Sequence, residues 1–418
     1  MGLSSLWKRY DSAIWIRVVG TILTTVTSFA IRPFLAIYLY DKTGSIYTIG
    51  IILGLAPLMG VITNLLGGSL ADKYGRKPLM VYSLFFQALS MAGYIFAVTP
   101  LQFALVSIVN GIAASLYYPA ANAQIADIVP EHQRSEVFAL MHTALNVGAA
   151  VGPMLGLLLV KINQSLAFFT SALSLLIYTA LVFAFVPETL NSLLQKRIIV
   201  NNEVKGQKDS NPEPKPTPFL LKEHRFLLLF TLYSLPINLL YSQVESNFPI
   251  YLRDNFENYL TIFTSLMSLN GIIVVLSAVW LAKKTEKLHT PYVLSVGYLL
   301  FAIVALGYGF GPWAKVIPLL FIAEIIFTIG EGLTFPNQNK LLSLMAPPEM
   351  RARYFSIFSL NWGIAKSLGP ILGATLFAHW GGLTLFIVLS GLLLLSGLAN
   401  YVLTEQSSVL SKKESVHV

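Results

Sequence analysis

Residues 68–78 read Gly68-Ser69-Leu70-Ala71-Asp72-Lys73-Tyr74-Gly75-Arg76-Lys77-Pro78, between two long apolar stretches. Basic residues in a short loop between apolar blocks are what a membrane topology demands. That accounts for Lys73, Arg76 and Lys77, but not for Asp72 or the two glycines. Gly68 lets another helix approach closely, Gly75 permits a tight turn, and Asp72 can accept hydrogen bonds from a neighbouring helix N-terminus. The segment reads as a shaped turn on the cytoplasmic face, joining two membrane helices.

The composition outside this loop agrees. Of 418 residues, 55% are hydrophobic and 11% charged, against about 25% charged in a soluble protein. Cysteine is absent, which excludes disulfide scaffolds, thiol chemistry and cysteine-ligated metals. The six histidines form no HxxxH or HxH pair, so no metal site is expected. The net charge of +8 is spread between apolar blocks rather than gathered on one face, which argues against nucleic acid as a partner. There is no GxxxxGK[ST] loop for an ATP-driven pump, and no nucleophile–base arrangement or cofactor motif, so neither an enzyme nor a cofactor is expected.

A helix needs about 20 apolar residues to cross the hydrocarbon core. Twelve stretches qualify: 13–39, 47–71, 78–98, 101–127, 136–160, 165–186, 226–252, 258–282, 288–311, 314–339, 352–377 and 381–403. The first run is too long for a cleaved signal peptide, and none is expected. With the N-terminus inside, and with Lys315 and Arg353 at span ends counted in the adjoining loops, 21 Lys and Arg fall in the cytoplasmic segments and four on the other side, at Lys42, Lys161, Arg253 and Lys315. That bias places both termini in the cytoplasm. Residues 187–225 are the one long polar stretch, rich in Lys, Asn and Pro, and read as a cytoplasmic linker that cannot bury a core.

The two halves repeat. A shift of 217 residues aligns Pro119 with Pro336, Asn122 with Asn339, Arg134 with Arg351 and Gly152-Pro153 with Gly369-Pro370. A second register, of 213, aligns Ile37-Tyr38-Leu39-Tyr40-Asp41 with Ile250-Tyr251-Leu252-Arg253-Asp254. The expected fold is an all-α membrane protein of 12 transmembrane helices in two pseudo-symmetric six-helix bundles. The expected domains are 1–186, the linker 187–225, a second bundle 226–403 and a cytoplasmic tail 404–418. Such parallel repeats place a substrate site between the halves, near the midplane.

The loop at residues 68–77 matches the pattern G-x-L-A-D-x-x-G-R-K at every defined position and resembles the signature loop of the major facilitator superfamily. The twelve spans, the central loop and Pro187-Glu188-Thr189 after span 6 extend the resemblance along the chain. It implies a gating charge relay formed by Asp72 and Arg76, with Asp127 and Arg134 as its other members. Span 5 carries Gly148, Gly152, Pro153 and Gly156. This resembles the motif of the antiporter branches, above all the 12-span drug:proton exporters, although small residues and a proline also suit close packing and a kink. One departure stands out: the span 4 arginine common in those exporters falls at Ser107 here.

A charge at the bilayer centre costs about 2.5–3.5 kcal/mol even on lenient scales, so each one is a functional candidate. These are Arg32 in span 1, Glu245 in span 7, Glu324 and Glu331 in span 10, and Lys366 in span 11. His142 in span 5 is a group that titrates near neutral pH. Arg32 and Glu245 occupy one position of the two repeats, so they can meet across the pseudo-twofold axis, as a substrate site or as a permanent ion pair. Glu324 and Glu331 lie two helical turns apart on one face. Buried carboxyls can exchange protons near neutral pH, which makes Glu331, Glu245 and Glu324 the proton-coupling candidates. Lys366 reads as the neutraliser of one of these acids. Tyr117-Tyr118-Pro119 and Phe335-Pro336 lie at matching places in spans 4 and 10. With Trp362 inside span 11, they suggest an aromatic-lined pocket for lipophilic compounds, cations included.

Together these features point to a monomeric, multi-pass protein of the cell membrane, whose partners are the lipid bilayer, protons and a small-molecule substrate. The leading expectation is proton-coupled export of lipophilic small molecules. The alternative is a transporter of the same fold for a defined solute (a sugar, a metabolite or a lipid), by symport or facilitated diffusion.

Overall fold

The computed structural model describes residues 10–190, 224–285, 288–346 and 350–416. Most of the expected linker, residues 191–223, lies outside the described residues. Every regular element among the described residues is a helix. The first half holds α1 (Ser12–Thr43), α2 (Ile46–Tyr74), α3 (Arg76–Phe96), α4 (Pro100–Ile128), α5 (Glu131–Ile162) and α6 (Gln164–Phe185). The second holds α7 (Arg225–Glu245), α8 (Asn247–Asn255), α9 (Tyr259–Thr285), α10 (Thr290–Trp313), α11 (Ile317–Met345) and α12 (Arg351–Val416). Caps define many ends. Asp11 accepts from the Ala13 N–H at 2.9 Å, and Thr99 with Gln102 forms a reciprocal capping box before α4.

Among the described residues, ten helices are long and apolar enough to cross a membrane. Splitting α12 in two and adding α9, whose apolar part Tyr259–Val274 is shorter, bring the count among the described residues to the twelve expected spans. At 66 residues, α12 would be about 100 Å long if straight, three bilayer cores deep. It breaks at Gly381, whose φ of 80° is a conformation glycine adopts without steric cost, and its two limbs form spans 11 and 12. Span 7 is interrupted between α7 and α8 at Ser246. Pro249 has no N–H to return to the Glu245 carbonyl, so the ladder cannot continue there. Side chains beside the break add bonds of their own: Ser246 Oγ donates to the Ser242 carbonyl at 2.6 Å, and Asn247 Nδ2 to the Pro370 carbonyl at 3.2 Å. Beyond residue 403, where the sequence suggests a tail, the helix simply continues to Val416.

The repeat survives in the packing. In the first half α1 lies on α5, α2 on α4, and α3 on both α4 and α6; in the second, α7 and α10 lie on α12, α9 on α11, and α10 on α11. The halves meet where α2 packs on α12 and α5 on α9. At the end of the bundle away from the termini, that seam is closed. Asp41 of α1 pairs with Arg253 of α8 at 2.6 Å, and the Tyr47 hydroxyl meets His379 Nδ1 at 3.1 Å.

The span 5 motif is the surface α5 offers to α1. A Cβ on Gly148 would strike Thr25, one on Gly152 the Phe29 side chain, and one on Gly156 the Ala30 carbonyl and Phe34 ring. Gly156→Leu is therefore expected to force α5 off α1 and cost about 1–3 kcal/mol, seen as a lower unfolding temperature of the purified protein. Gly391→Ala, where nothing lies within 4 Å of the new methyl group, should be neutral or stabilising by up to about 1 kcal/mol. Equal effects of the two substitutions would contradict this packing.

Candidate substrate and proton site

Two polar constructions stand out, one at the termini end of the first half and one on the seam between the halves. The first is built around the loop at Gly75. Glycine has no side chain with which to cap α3, and its φ of 102° turns the chain sharply. The cap arrives from beyond α6: Glu188 accepts from the Arg76 N–H at 3.1 Å and the Lys77 N–H at 3.0 Å. A carboxylate at a helix N-terminus satisfies orphan donors and complements the dipole. Glu188 also accepts from the N–H groups of Thr189 and Leu190, both at 2.8 Å. Arg76 is buried, and its Nε lies 3.2 Å from Asp127 Oδ2, which accepts in addition from Thr189 Oγ1 at 2.6 Å. The expected Arg76–Asp127 association is present, and Glu188-Thr189 completes it. Of the residues expected as its further members, Gly68 and Asp72 lie in α2 and Arg134 in α5, but the surroundings of Gly68 and the side chains of Asp72 and Arg134 are outside what is described, as is the side chain of His142.

The second construction places Arg32, Glu245 and Lys366 together. Lys366 Nζ is 2.7 Å from Glu245 Oε2, while Arg32 stands 3.8 Å from Oε1. Arg32 and Glu245 do face each other across the halves, but the closer partner of the carboxylate is Lys366, which no repeat register indicated. Amide side chains pin α7 to the first limb of α12 here. Gln243 Nε2 donates to the Gly369 carbonyl at 2.8 Å, and Asn238 Nδ2 to Asn361 Oδ1 at 2.9 Å. Aromatic faces back both cations: the Arg32 guanidinium is 4.5 Å from the Phe29 ring and the Lys366 ammonium 4.7 Å from that of Trp362.

Glu331 sits midway along α11, partly buried, with neutral neighbours. Asn270 of α9 donates to its Oε2 at 2.7 Å and to Thr328 Oγ1 at 3.0 Å. The Tyr241 hydroxyl is turned toward it without completing a hydrogen bond in this conformation. Among the described residues no salt bridge reaches it. Glu324 is placed differently. It is fully buried inside the second bundle, where Tyr308 donates to its Oε2 and its Oε1 has no partner. The corresponding pair in the first half is Tyr94 with Ser107, 2.9 Å apart. The Ser107 departure thus fills the same place with a neutral group.

The aromatic expectation divides. Tyr241, on α7, contacts Phe335 and Trp362, each with ring centroids 5.7 Å away, and Trp362 is 39% exposed. These three form a shelf between the Lys366 and Glu331 positions. Tyr117 does not belong to a pocket. It is buried in the core of the first bundle, its hydroxyl 2.7 Å from that of Tyr178 and its ring 5.7 Å from the Arg17 guanidinium. Tyr118 is 56% exposed. The two rings touch, with centroids 5.6 Å apart, but the first is sealed in the core and the second is exposed, so they do not form one pocket wall.

The ion pair carries a measurable consequence. In a double-mutant cycle on unfolding, Glu245→Gln with Lys366→Met should show a coupling of about 1–3 kcal/mol, and Glu245→Gln with Arg32→Gln a smaller one. Additivity in the first cycle would show that the carboxylate and the ammonium do not stabilise each other.

A sequence profile of the Major Facilitator Superfamily matches residues 18–368 and 247–416. The uncharacterized MFS-type transporter YhjO of Bacillus subtilis (strain 168) is 30% identical over 399 residues, covering 94% of each chain. The Na(+), Li(+), K(+)/H(+) antiporter of Planococcus maritimus is 27% identical, covering 93% of this chain and 95% of its own. Multidrug resistance protein MdtG of Salmonella schwarzengrund (strain CVM19633) is 25% identical, covering 94% and 95%. A crystal structure of the peptide transporter POT superposes with a TM-score of 0.77 over 95% of both chains at 14% identity, which shows a shared fold. A helical repeat that spans a membrane, with a seam of charged and aromatic side chains between its halves, and a matching profile along nearly its whole length lead to one assignment: this chain is a multi-pass membrane transporter of the Major Facilitator Superfamily.

Proposed function

We propose that the protein exports lipophilic, charged small molecules in exchange for protons, by alternating access of the seam between its halves. The observation that carries this reading is Glu331: a mid-membrane carboxyl with only neutral hydrogen-bond partners, beside the Tyr241–Phe335–Trp362 shelf. A carboxyl without a fixed counter-charge can hold either a proton or a cationic substrate, and such competition is the basis of exchange. Glu245, expected as a second coupling group, is already compensated by Lys366 and Arg32 and serves as a fixed anion. Glu324, sealed in the second bundle, is a secondary candidate. The membrane potential contributes about 2.3 kcal/mol per charge per 100 mV, so inward proton movement can drive cargo outward. An antiporter and a multidrug resistance protein among the relatives agree with this direction of transport. On this reading the protein resides in the cell membrane with both termini cytoplasmic, and Arg76, Asp127, Glu188 and Asp72 belong to the cytoplasmic gate.

The second reading is transport of a defined solute by symport or facilitated diffusion, and the Arg32–Glu245–Lys366 cluster favours it. A polar triad of that kind suits recognition of one chemical group more than broad lipophilic selection.

The two readings separate in liposomes under an imposed pH gradient. Glu331→Gln holds the neutral form permanently; it should abolish uphill, gradient-driven export of a lipophilic cationic dye and weaken dye binding at least about tenfold, since the cation loses its counter-charge. Undiminished uphill export by the Gln variant would remove Glu331 from the coupling and with it the exchange mechanism.

A further inference from the structure

The charges on the seam do not balance. One carboxylate, Glu245, stands between two cations, and it is committed to Lys366 at 2.7 Å. Arg32 is 3.8 Å from the other oxygen, beyond hydrogen-bond length, and its side chain is 48% exposed. A guanidinium offers a planar fork of donors that matches a carboxylate with two parallel bonds, and stacking on Phe29 holds this one in orientation. At the other end of the aromatic shelf lies Glu331, an acid without a cation. Between them run Trp362, under the Lys366 ammonium, and Tyr241, whose hydroxyl turns to Glu331. The site thus has an electron-poor end and an acidic end, two aromatic rings apart.

Resting on the exchange reading above, we propose that the substrate class is lipophilic zwitterions: the anionic group docks between Arg32 and Lys366, the aromatic body lies on Trp362 and Tyr241, and the cationic group replaces the proton at Glu331. Charge bookkeeping selects this class. With Glu331 ionised, Arg32, Lys366, Glu245 and Glu331 sum to zero, and a zwitterion leaves that sum unchanged when the site closes away from water. Burying a net charge in the membrane interior is costly, so a neutral loaded site crosses most easily. A simple anion would instead bind best with Glu331 protonated, and the two would travel together, which is symport. The cationic end of a zwitterion competes with the proton, as exchange requires.

The test uses one rigid scaffold, a biphenyl with an aminomethyl group at one end and a carboxylate at the other. Its carboxamide keeps only the cation, and its N-acetyl derivative keeps only the anion. Binding to the full-length protein in lipid nanodiscs is measured by equilibrium dialysis against empty nanodiscs. The zwitterion should bind at least about tenfold more tightly than either capped form, the value of one charge-assisted hydrogen bond. Arg32→Gln should bring it down to the carboxamide, whose own affinity is unchanged, and Arg32→Lys should restore part of the preference. Glu245→Gln should tighten the zwitterion and the N-acetyl form, because it removes the resident competitor; a merely structural role for Glu245 predicts no gain. Equal binding of carboxamide and zwitterion by wild type, or an unchanged preference in Arg32→Gln, would overturn the anionic subsite. Gradient-driven export of the carboxamide, assayed separately in liposomes, reports on the exchange reading itself, so the two can fail independently.

Discussion

Inside a bilayer a charge persists only beside its opposite, and the Glu245–Lys366 pair is where this chain meets that constraint. It bonds the last residue of α7 to the middle of the first limb of α12. Much around it follows. Pro249 ends α7 directly after Glu245, and two amide side chains beside the break, Gln243 and Asn247, tie to the Gly369 and Pro370 carbonyls of α12. Lys366 lies one helical turn beyond Trp362, so fixing the ammonium also fixes the indole, and the indole in turn orders Tyr241. Arg32 approaches from the other half and finds the carboxylate already engaged. Glu331, reached through Tyr241, is the one acid of this group that the pair leaves uncompensated.

The two halves share a plan and differ where chemistry is needed. Tyr94 and Ser107 bridge α3 and α4, while Tyr308 and Glu324 bridge α10 and α11 in the same manner. The repeat of Tyr38-Leu39-Tyr40-Asp41 has Arg253 where Tyr40 stands, and that arginine both pairs with Asp41 and lies 5.2 Å from the Tyr40 ring. Duplication supplies the scaffold, and single departures from it supply a cross-half latch and a carboxyl. The latch closes one end of the seam. At the other end, Arg76, Asp127 and Glu188 hold the start of α3 within the first half alone.

The legible part of the sequence was the part written in periodicity and composition. Long apolar runs, charge bias and the 217-residue repeat are properties of many residues at once, and the structure follows them closely, from α1 at Ser12–Thr43 to the break at Gly381. Pairings between side chains far apart in the chain were less legible. Arg32 and Glu245 could be matched because symmetry related them; Lys366 has no such relation to Glu245, and only the crossing of α7 and α12 brings them together. Glu188 was visible merely as part of a family-like segment. The clue to its role was an absence, since Gly75 cannot cap α3 and some other acceptor must. Tyr117 was singled out because it lies at a place in span 4 that matches Phe335 in span 10, but the repeat relates positions along a helix and not the face a side chain takes, and Tyr117 turns into the core toward Tyr178.

The central claim is that substrate and proton compete for one site on the seam, and the most direct measurement is proton release on binding. Purified wild-type protein in a weakly buffered solution near neutral pH is mixed with saturating lipophilic cation, and the pH change is read with an indicator dye. The account predicts release approaching one proton per transporter, falling to none when the solution is alkaline enough to empty the site beforehand. Binding of the same ligand with no release at any pH, or with proton uptake, would contradict it.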